Sequence, residues 1–247
     1  MNAVLNVSGY QFARLDDPPA LRQALLAVAA ERQLKGTILL AHEGINLFLA
    51  GSESGIEALL ALVRAQPGLQ GFEAKRSWSS AQPFRKLLVK VKAEIIRMNR
   101  PAIAPQDGRA PAVDARTVKR WLDQGHDDEG RPVVTLDTRN GFEVDHGTFD
   151  GAIDWRLRKF SDFPAALQAH KADLEGKTVV SFCTGGIRCE KAALVMREAG
   201  LEHVWQLDGG ILKYFEQAGG AHFHGNCFVF DEREALDAGL QAVKPAG

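Results

Sequence analysis

The chain has 247 residues, of which 45% are hydrophobic and 25% are charged, and its formal net charge is −1. This composition is typical of a soluble globular protein, and no apolar run approaches the roughly 20 residues that a membrane-spanning helix requires. The first residues lack the basic start and apolar stretch of a signal peptide, so we expect a cytoplasmic protein without a membrane partner. The three cysteines, Cys183, Cys189 and Cys227, are too few and too irregularly spaced for a disulfide-bonded scaffold or a structural zinc site, and no metal site is predicted.

Strands and helices alternate in the pattern of the first hundred residues. Apolar runs at residues 37–41 and 45–49 flank a short polar turn and indicate a hairpin. Helical spacing covers residues 21–34, and Ser52 is the N-cap of a second helix. With strands at residues 4–7 and 86–96, the order is β-α-β-β-α-β. This order predicts a ferredoxin-like (acylphosphatase-like) α+β sandwich over residues 1–100.

Residues 101–131 are rich in proline, glycine and charge, and we interpret them as a linker. One short helix is predicted inside the linker, over residues 114–122, with Asp114 as its N-cap.

The pattern changes to short apolar strands and an intervening helix over residues 132–218. Strands are predicted at residues 133–136, 179–182 and 203–207, and a helix at residues 191–199 ends at Gly200. Tight strand–helix–strand connections predict a parallel sheet with right-handed crossovers. The predicted fold class is therefore α/β: an α+β sandwich, then an α/β domain with a parallel sheet, then a C-terminal extension over residues 219–247.

Cys183 is the candidate reactive group, since it follows a buried strand and precedes a helix that starts near Glu190. Ligands of open α/β sheets bind at the carboxyl ends of the strands. Two glycines allow backbone amides to converge on the thiol, the helix adds its positive end, and Arg188 adds a cation across the mouth of the loop. Such surroundings lower the pKa of a thiol below its usual value of about 8.5. We expect a thiolate cradled by the amides of Thr184, Gly185, Gly186 and Ile187.

The spacing between Cys183 and Arg188 distinguishes the chemistries that are open to this loop. Cysteine-dependent phosphatases use C-x5-R, which forms a ring wide enough for phosphate, whereas this chain has C-x4-R. The tighter ring suits a sulfur atom carried on the thiolate as a persulfide. The alternative is a structural cysteine before an ordinary glycine turn. Cys227 lies in an apolar run and is expected to be a small buried residue.

Several longer motifs resemble a known family. The C-x4-R loop, Asp137-Thr138-Arg139 and LDGGI at residues 207–211 together resemble a rhodanese domain. CTGGIRCEK at 183–191, GTILLA and EGIN within 36–46, and CFVFDER at 227–233 resemble the rhodanese-like bacterial tRNA uridine hydroxylases. The resemblance spans about residues 4–233, and it is to a short form without the cysteine-bearing C-terminal tail of longer members.

The resemblance implies an oxidoreductase that converts the wobble uridine of certain tRNAs to 5-hydroxyuridine in an oxygen-dependent reaction. It implies that Cys183 is the active-site cysteine and, by analogy with rhodaneses, a persulfide carrier, with Arg188 in its cradle. Asp137 and Arg139 are expected to hold the loop in place. We expect Cys189 to pack inward, a second, resolving thiol being the alternative. Molecular oxygen is the implied co-substrate with an unidentified electron donor, and no cofactor is evident.

Basic residues concentrate between Lys75 and Arg120, where twelve of them against three acidic residues give a net charge of +9. This stretch is interpreted as a surface for the tRNA anticodon arm, a solvated charged face being the alternative. Trp78 and Phe84 are expected to pack in a core, with base stacking as the alternative. The candidate tRNA-binding residues are Arg76, Arg85, Lys86, Lys90, Lys92, Arg97, Arg156, Arg158 and Lys159.

Three functions are compatible with these features. The favoured one is a tRNA-modifying enzyme in which a flipped-out uridine reaches Cys183. The second is a sulfurtransferase that moves sulfur from thiosulfate or a persulfide donor to a thiol through a Cys183 persulfide. The third is a binding module, against which the intact Cys183 and Arg188 argue.

Overall fold

The structure, a computed structural model, describes residues 4–243. The chain divides after Arg97 into two compact units, each with its own hydrophobic core. Residues 1–3 of the predicted first domain and residues 244–247 of the predicted extension lie outside the described residues. Among residues 4–243, every helix is too short or too polar to span a lipid bilayer.

The first unit is a five-stranded sheet with two helices. Its strand order is β4-β1-β3-β2-β5, in which β2 and β5 are parallel and all other neighbours are antiparallel. Leu25 and Leu59, one from each helix, are fully buried in its core. The elements are β1 (Val4–Phe12), α1 (Pro18–Glu31), β2 (Lys35–Ala41), β3 (Gly44–Gly51), α2 (Glu53–Arg64), β4 (Lys75–Ser79) and β5 (Leu87–Val91).

Polar caps set the starts of both helices in this unit. The Ser52 hydroxyl accepts a hydrogen bond from the Gly55 amide at 3.2 Å, which confirms the predicted cap of α2. Helix α1 begins three residues before the predicted residue 21, because the Asp17 carboxylate accepts from the Ala20 amide at 2.9 Å. The hairpin of β2 and β3 is confirmed.

The strand predicted at residues 86–96 is present, over a shorter range, but its place in the predicted β-α-β-β-α-β order is wrong. Strand β4 pairs with β1 and takes the edge position that the sequence pattern assigns to residues 86–96. Strand β5 ends at Val91 and is an additional strand at the opposite edge, parallel to β2. Strand β4 has no apolar alternation to mark it, because its sequence KRSWS is polar and nowhere fully buried.

The second unit contains a five-stranded, wholly parallel sheet with strand order β6-β11-β10-β7-β9. Two small antiparallel pairs, β8 with β12 and β13 with β14, accompany it. Its elements are β6 (Ala112–Val113), α3 (Ala115–Gln124), β7 (Val133–Asp137), α4 (Gly141–Val144), β8 (Gly147–Phe149), β9 (Ile153–Asp154), α5 (Phe163–His170), β10 (Thr178–Phe182), α6 (Ile187–Glu198), β11 (Val204–Leu207), α7 (Gly210–Ala218), β12 (Phe223–Gly225), β13 (Cys227–Phe228) and β14 (Ala235–Leu236).

The segment predicted as a linker instead belongs to the second unit. Strand β6 pairs with β11 at the sheet edge, and Trp121 of α3 packs into the core. The predicted cap is present, since the Asp114 carboxylate accepts from the Arg116 amide at 3.0 Å. A strand of two residues is too short to show an alternating pattern, and α3 buries only one stripe of side chains. The predicted helix is therefore present as α3, and the polar composition concealed only strand β6.

The predicted C-terminal extension packs on the same unit. Strand β12 pairs with β8, and Cys227 at the start of β13 is fully buried in the core that contains Phe182. Cys227 is thus the small buried residue that its apolar run predicts. The predicted fold class is confirmed, since an α+β sheet domain precedes an α/β domain with a parallel sheet.

Candidate active site

The carboxyl end of β10 positions Cys183. All five residues of β10 are buried between β7 and β11, and the chain then turns through Gly186, whose φ is 105°. Helix α6 begins at Ile187, earlier than the predicted start near Glu190, so Arg188 and Cys189 lie in its first turn. The turn from strand to helix is therefore short, and the Cys183 thiol lies near the positive end of a twelve-residue helix.

Cys183 is fully buried, yet its surroundings favour the thiolate. The Gly186 amide donates to its Sγ at 3.1 Å. Burial opposes ionisation, but a hydrogen bond from the Cys189 thiol, the Arg188 charge and the amides of Arg188 and Gly186 outweigh it. Together these groups lower the pKa of Cys183 well below its usual value. The predicted reactive thiolate thus has a physical basis in this loop.

The other predicted cradle residues build the turn. The Thr184 hydroxyl donates to the Phe228 carbonyl at 3.5 Å, and the Cys183 carbonyl accepts from the Ile211 amide at 2.9 Å. Gly210, with φ of 66°, lies so close to the loop that a Cβ atom there would meet the Cys183 carbonyl and, at 2.8 Å, the Gly186 amide. The LDGGI motif therefore packs the start of α7 against the loop.

Arg188 does not lie open across the mouth of the loop as the sequence suggested. Its side chain is 7% exposed and forms two hydrogen bonds with the Glu143 carboxylate, at 2.6 and 2.7 Å. Burial disfavours the charge, but Glu143 raises the pKa of Arg188 above its usual value. Arg188 is therefore a fixed cation in the protein interior, and its charge stabilises the thiolate form of Cys183.

Glu143 is a site residue that was not predicted from the sequence. It lies in α4, 45 residues before Arg188, and one of its oxygens accepts from the Asn140 amide at 3.1 Å. Asn140 and Glu143 form a capping box, so the N-x-x-E spacing is a signal that would have located the helix. No local pattern links that box to the cysteine loop.

Cys189 packs inward, as predicted, and is fully buried. Its Sγ lies 3.7 Å from the Thr138 hydroxyl. Burial and the neighbouring Cys183 thiolate raise the pKa of Cys189 well above its usual value, which keeps it a neutral thiol. The Cys189 thiol can therefore donate a hydrogen bond to the Cys183 sulfur.

Asp137 and Arg139 form a fully buried ion pair at the end of β7, at 2.6 Å. Arg139 also donates to the Gly147 carbonyl at 2.6 Å, and Thr148 donates to Asp137 at 2.8 Å. The pair thus ties β7 to β8 on either side of α4, which carries Glu143. This network supports a structural role for Asp137 and Arg139.

The nine candidate tRNA-binding residues are all exposed. Six of them belong to the first unit and three, Arg156, Arg158 and Lys159, to the second. The predicted core packing of Trp78 is wrong, because its side chain is 55% exposed. Alternation along β4 puts Arg76 on the same face as Trp78, whereas Phe84 is half-buried. Cationic and aromatic groups therefore share one exposed face of this strand.

Among residues 4–243, no three His, Cys, Asp or Glu side chains are grouped as metal ligands would be.

Two family descriptions match consecutive parts of the chain. Residues 4–95 match the UPF0176 acylphosphatase-like domain, and residues 104–217 match the rhodanese-like domain. Among solved structures, a rhodanese-like domain from Anabaena sp. is 22% identical with a TM-score of 0.40, over 56% of this chain and 86% of that domain.

Relatives similar over nearly the whole chain are named tRNA uridine(34) hydroxylase. The Bordetella petrii protein is 64% identical and covers 100% of this chain and 97% of its own length. The Variovorax paradoxus protein is 63% identical over 98% of this chain and 92% of its own length. The Delftia acidovorans protein is 60% identical over 99% of this chain and 93% of its own length. The resemblance inferred from the motifs is thereby confirmed, and the chain belongs to the tRNA uridine(34) hydroxylase family.

Proposed function

We propose that this protein hydroxylates uridine 34 of tRNA to 5-hydroxyuridine and that the Cys183 thiolate is its reactive group. The observation that carries the proposal is the buried Cys183 sulfur, which receives the Gly186 amide at 3.1 Å at the start of α6. Relatives about 60% identical over the whole chain have a name that specifies this substrate and reaction. They favour hydroxylation over the alternative, sulfur transfer through a Cys183 persulfide.

The chemistry follows from the nucleophilicity of a thiolate. Addition of Cys183 Sγ to C6 of uracil forms an S–C6 bond and moves the C5–C6 π electrons to C5 and O4 as an enolate. C5 then attacks an electrophilic oxygen species derived from molecular oxygen, and a C5–O bond forms. Loss of the C5 proton expels the Cys183 thiolate and restores the double bond. An external donor supplies two electrons, solvent supplies two protons, and the second oxygen atom leaves as water.

Three neighbours assist Cys183 without contacting the base. The Arg188–Glu143 pair supplies a cation whose position is fixed by two hydrogen bonds. Cys189 donates a hydrogen bond that stabilises the sulfur anion both before addition and after its departure. These groups are preorganised in a buried site, where electrostatic interactions are stronger than in water.

The substrate must present a single base to this loop. Enzymes that react with a base remove it from its stack, and an anticodon loop offers unpaired bases for this purpose. Exposed cations such as Lys90 and Lys92 supply the sequence-independent attraction for phosphates. Because the proposed substrate is tRNA, the proposed site of action is the cytoplasm.

The test is nucleoside mass spectrometry of tRNA from a strain that lacks the gene and any other route to 5-hydroxyuridine. We expect the wild-type gene to restore 5-hydroxyuridine and Cys183→Ser to restore none. The Cys227→Ser variant is the matched control, because Cys227 is equally buried but burial raises its pKa to about 12. Persistence of 5-hydroxyuridine in the deleted strain would contradict the function. Restoration of 5-hydroxyuridine by Cys183→Ser would be compatible with the role in tRNA modification but would show that the Cys183 thiol is not required for the reaction.

A further inference from the structure

Three phenylalanines and a histidine form an aromatic patch in the second unit, made of Phe142, His146, Phe228 and Phe230. The Phe228 ring centroid lies 5.3 Å from that of Phe142 and 5.1 Å from that of Phe230. His146 lies 5.1 Å from Phe228. The phenyl rings are nearly perpendicular to each other, at 86° to 88°. A flat ligand can therefore lie on the face of one ring and against the edge of the next.

The patch is open to solvent. Phe142 is 48% exposed and Phe230 is 53% exposed. They are the two exposed large apolar side chains among the described residues of the second unit. Clustered exposed aromatic side chains indicate a binding surface, whereas a single one would need no explanation.

Two of the patch phenylalanines lie in elements that also hold the Cys183 loop, Phe142 in α4 and Phe228 in β13. Phe142 precedes Glu143 in α4, so one residue faces solvent while the next binds Arg188 from within. Phe228 follows the buried Cys227, and its carbonyl accepts from the Thr184 hydroxyl at 3.5 Å. The patch is therefore fixed to the Cys183 loop through two independent connections.

A planar guanidinium group lies beside the residue that precedes Phe142 in the chain. The Arg156 guanidinium group packs against Gly141, and a Cβ atom on that glycine would lie 3.1 Å from it. Arg156 is 57% exposed and is held by Asp145 at 2.7 Å and Asp154 at 3.2 Å. Aromatic faces beside a guanidinium group are the combination that binds unpaired nucleotides.

We propose that the aromatic patch stacks on an unpaired base next to uridine 34 in the anticodon loop. This inference rests on the proposed function, because it is the reaction at Cys183 that brings the anticodon loop to these elements. When uridine 34 leaves the loop to react, its neighbours lose a stacking partner. The patch replaces that partner and fixes the position from which uridine 34 enters. Stacking tolerates different bases, so the patch recognises loop geometry rather than one sequence.

The experiment uses the full chain and two anticodon stem-loop RNAs, with 5-iodouridine at position 33 in one and at position 35 in the other. Irradiation couples this base to an aromatic side chain stacked on it, and mass spectrometry identifies the peptide. We expect coupling to a peptide containing Phe142, Phe228 or Phe230. For Phe230→Leu, which keeps an apolar side chain but loses the ring, we expect weaker coupling and a Kd higher by about tenfold. The Phe230→Tyr variant keeps the ring and should resemble the wild type.

The outcomes separate this inference from the proposed function. Failure of the wild-type gene to restore 5-hydroxyuridine in the deleted strain would overturn the function. A wild type that restores 5-hydroxyuridine while Phe230→Leu couples and binds RNA unchanged would overturn the patch alone. If Phe230→Leu binds RNA as the wild type does but fails to restore 5-hydroxyuridine in cells, the patch would be assigned to a protein partner. This result would also overturn the inference. Thermal unfolding of Phe230→Leu checks that the half-exposed position leaves the fold intact.

Discussion

At the scale of single residues, Cys183 owes its ionisation to specific donors. Cys227 is equally buried, and there burial raises the pKa to about 12. Cys183 receives hydrogen bonds from Cys189 and from backbone amides beside the Arg188 charge, and these lower its pKa well below its usual value. The contrast between the two cysteines shows that the donors, and not the buried location, lower the pKa of Cys183.

We expect Cys189→Ala to raise the pKa of Cys183, since the variant removes a hydrogen bond to the charged thiolate and such a bond contributes ~1.5–3 kcal/mol. Thiolate absorbance at 240 nm, followed against pH, measures the shift. The pKa values of Cys189 and Cys227 are both raised. The first absorbance step on raising the pH therefore belongs to Cys183, and Cys183→Ser should remove it.

The matched variant Cys189→Ser keeps a donor at this position and should shift the step less than alanine does. An alanine variant that titrates like the wild type would show that Cys189 contributes only packing.

At the scale of elements, the reactive loop is held from the other side by the start of α7. The Ile211 amide donates to the Cys183 carbonyl, and the Leu212 amide donates to the Thr184 carbonyl at 3.2 Å. Gly210 permits this approach because it has no Cβ atom and because its φ of 66° is costly for other residues. The glycine pair of the LDGGI motif is therefore part of the site's architecture.

We expect Gly210→Ala to destabilise the second unit and to displace the Cys183 loop. Urea unfolding should show a loss of about 1–3 kcal/mol from crowding in addition to about 1 kcal/mol from the positive φ. Gly125, which follows α3, is the matched control, because it is left-handed with φ of 78° but a Cβ atom there would meet nothing within 4 Å. Gly125→Ala should therefore cost only the conformational part, and equal losses for the two variants would contradict close packing at Gly210.

The sequence predicted the features of this site that are local in the chain. The strand, the C-x4-R loop and the helix are consecutive, so their pattern predicts both the turn and the thiolate. Glu143 could not be predicted as the partner of Arg188, because 45 residues separate them and only the fold brings them together. Strands β4 and β6 were missed for a different reason, since one is polar and the other has two residues.

At the scale of the whole molecule, the basic stretch between Lys75 and Arg120 contains both unpaired and paired cations. Lys86, Lys90 and Lys92 are exposed and form no ion pair among residues 4–243. Other basic residues of the same stretch are neutralised locally. Arg120, for example, pairs with Asp128 through both terminal guanidinium nitrogens, at 2.5 and 3.1 Å. Only the unpaired cations are available to release counterions from a nucleic acid.

We therefore expect the affinity for tRNA to fall steeply with salt and the slope to depend on which cations remain. Replacing both Lys90 and Lys92 with alanine should reduce the slope of log Kd against log salt by about 1.4, since each phosphate contact in single-stranded RNA contributes about 0.7. The control variant Arg120→Ala also removes one positive charge per substitution from this stretch. Because Asp128 already pairs with Arg120, we expect this variant to leave the slope unchanged. Fluorescence anisotropy of labelled tRNA over a salt series measures both. A common change of slope for paired and unpaired cations would mean that net charge, and not a phosphate-binding surface, governs the affinity for tRNA.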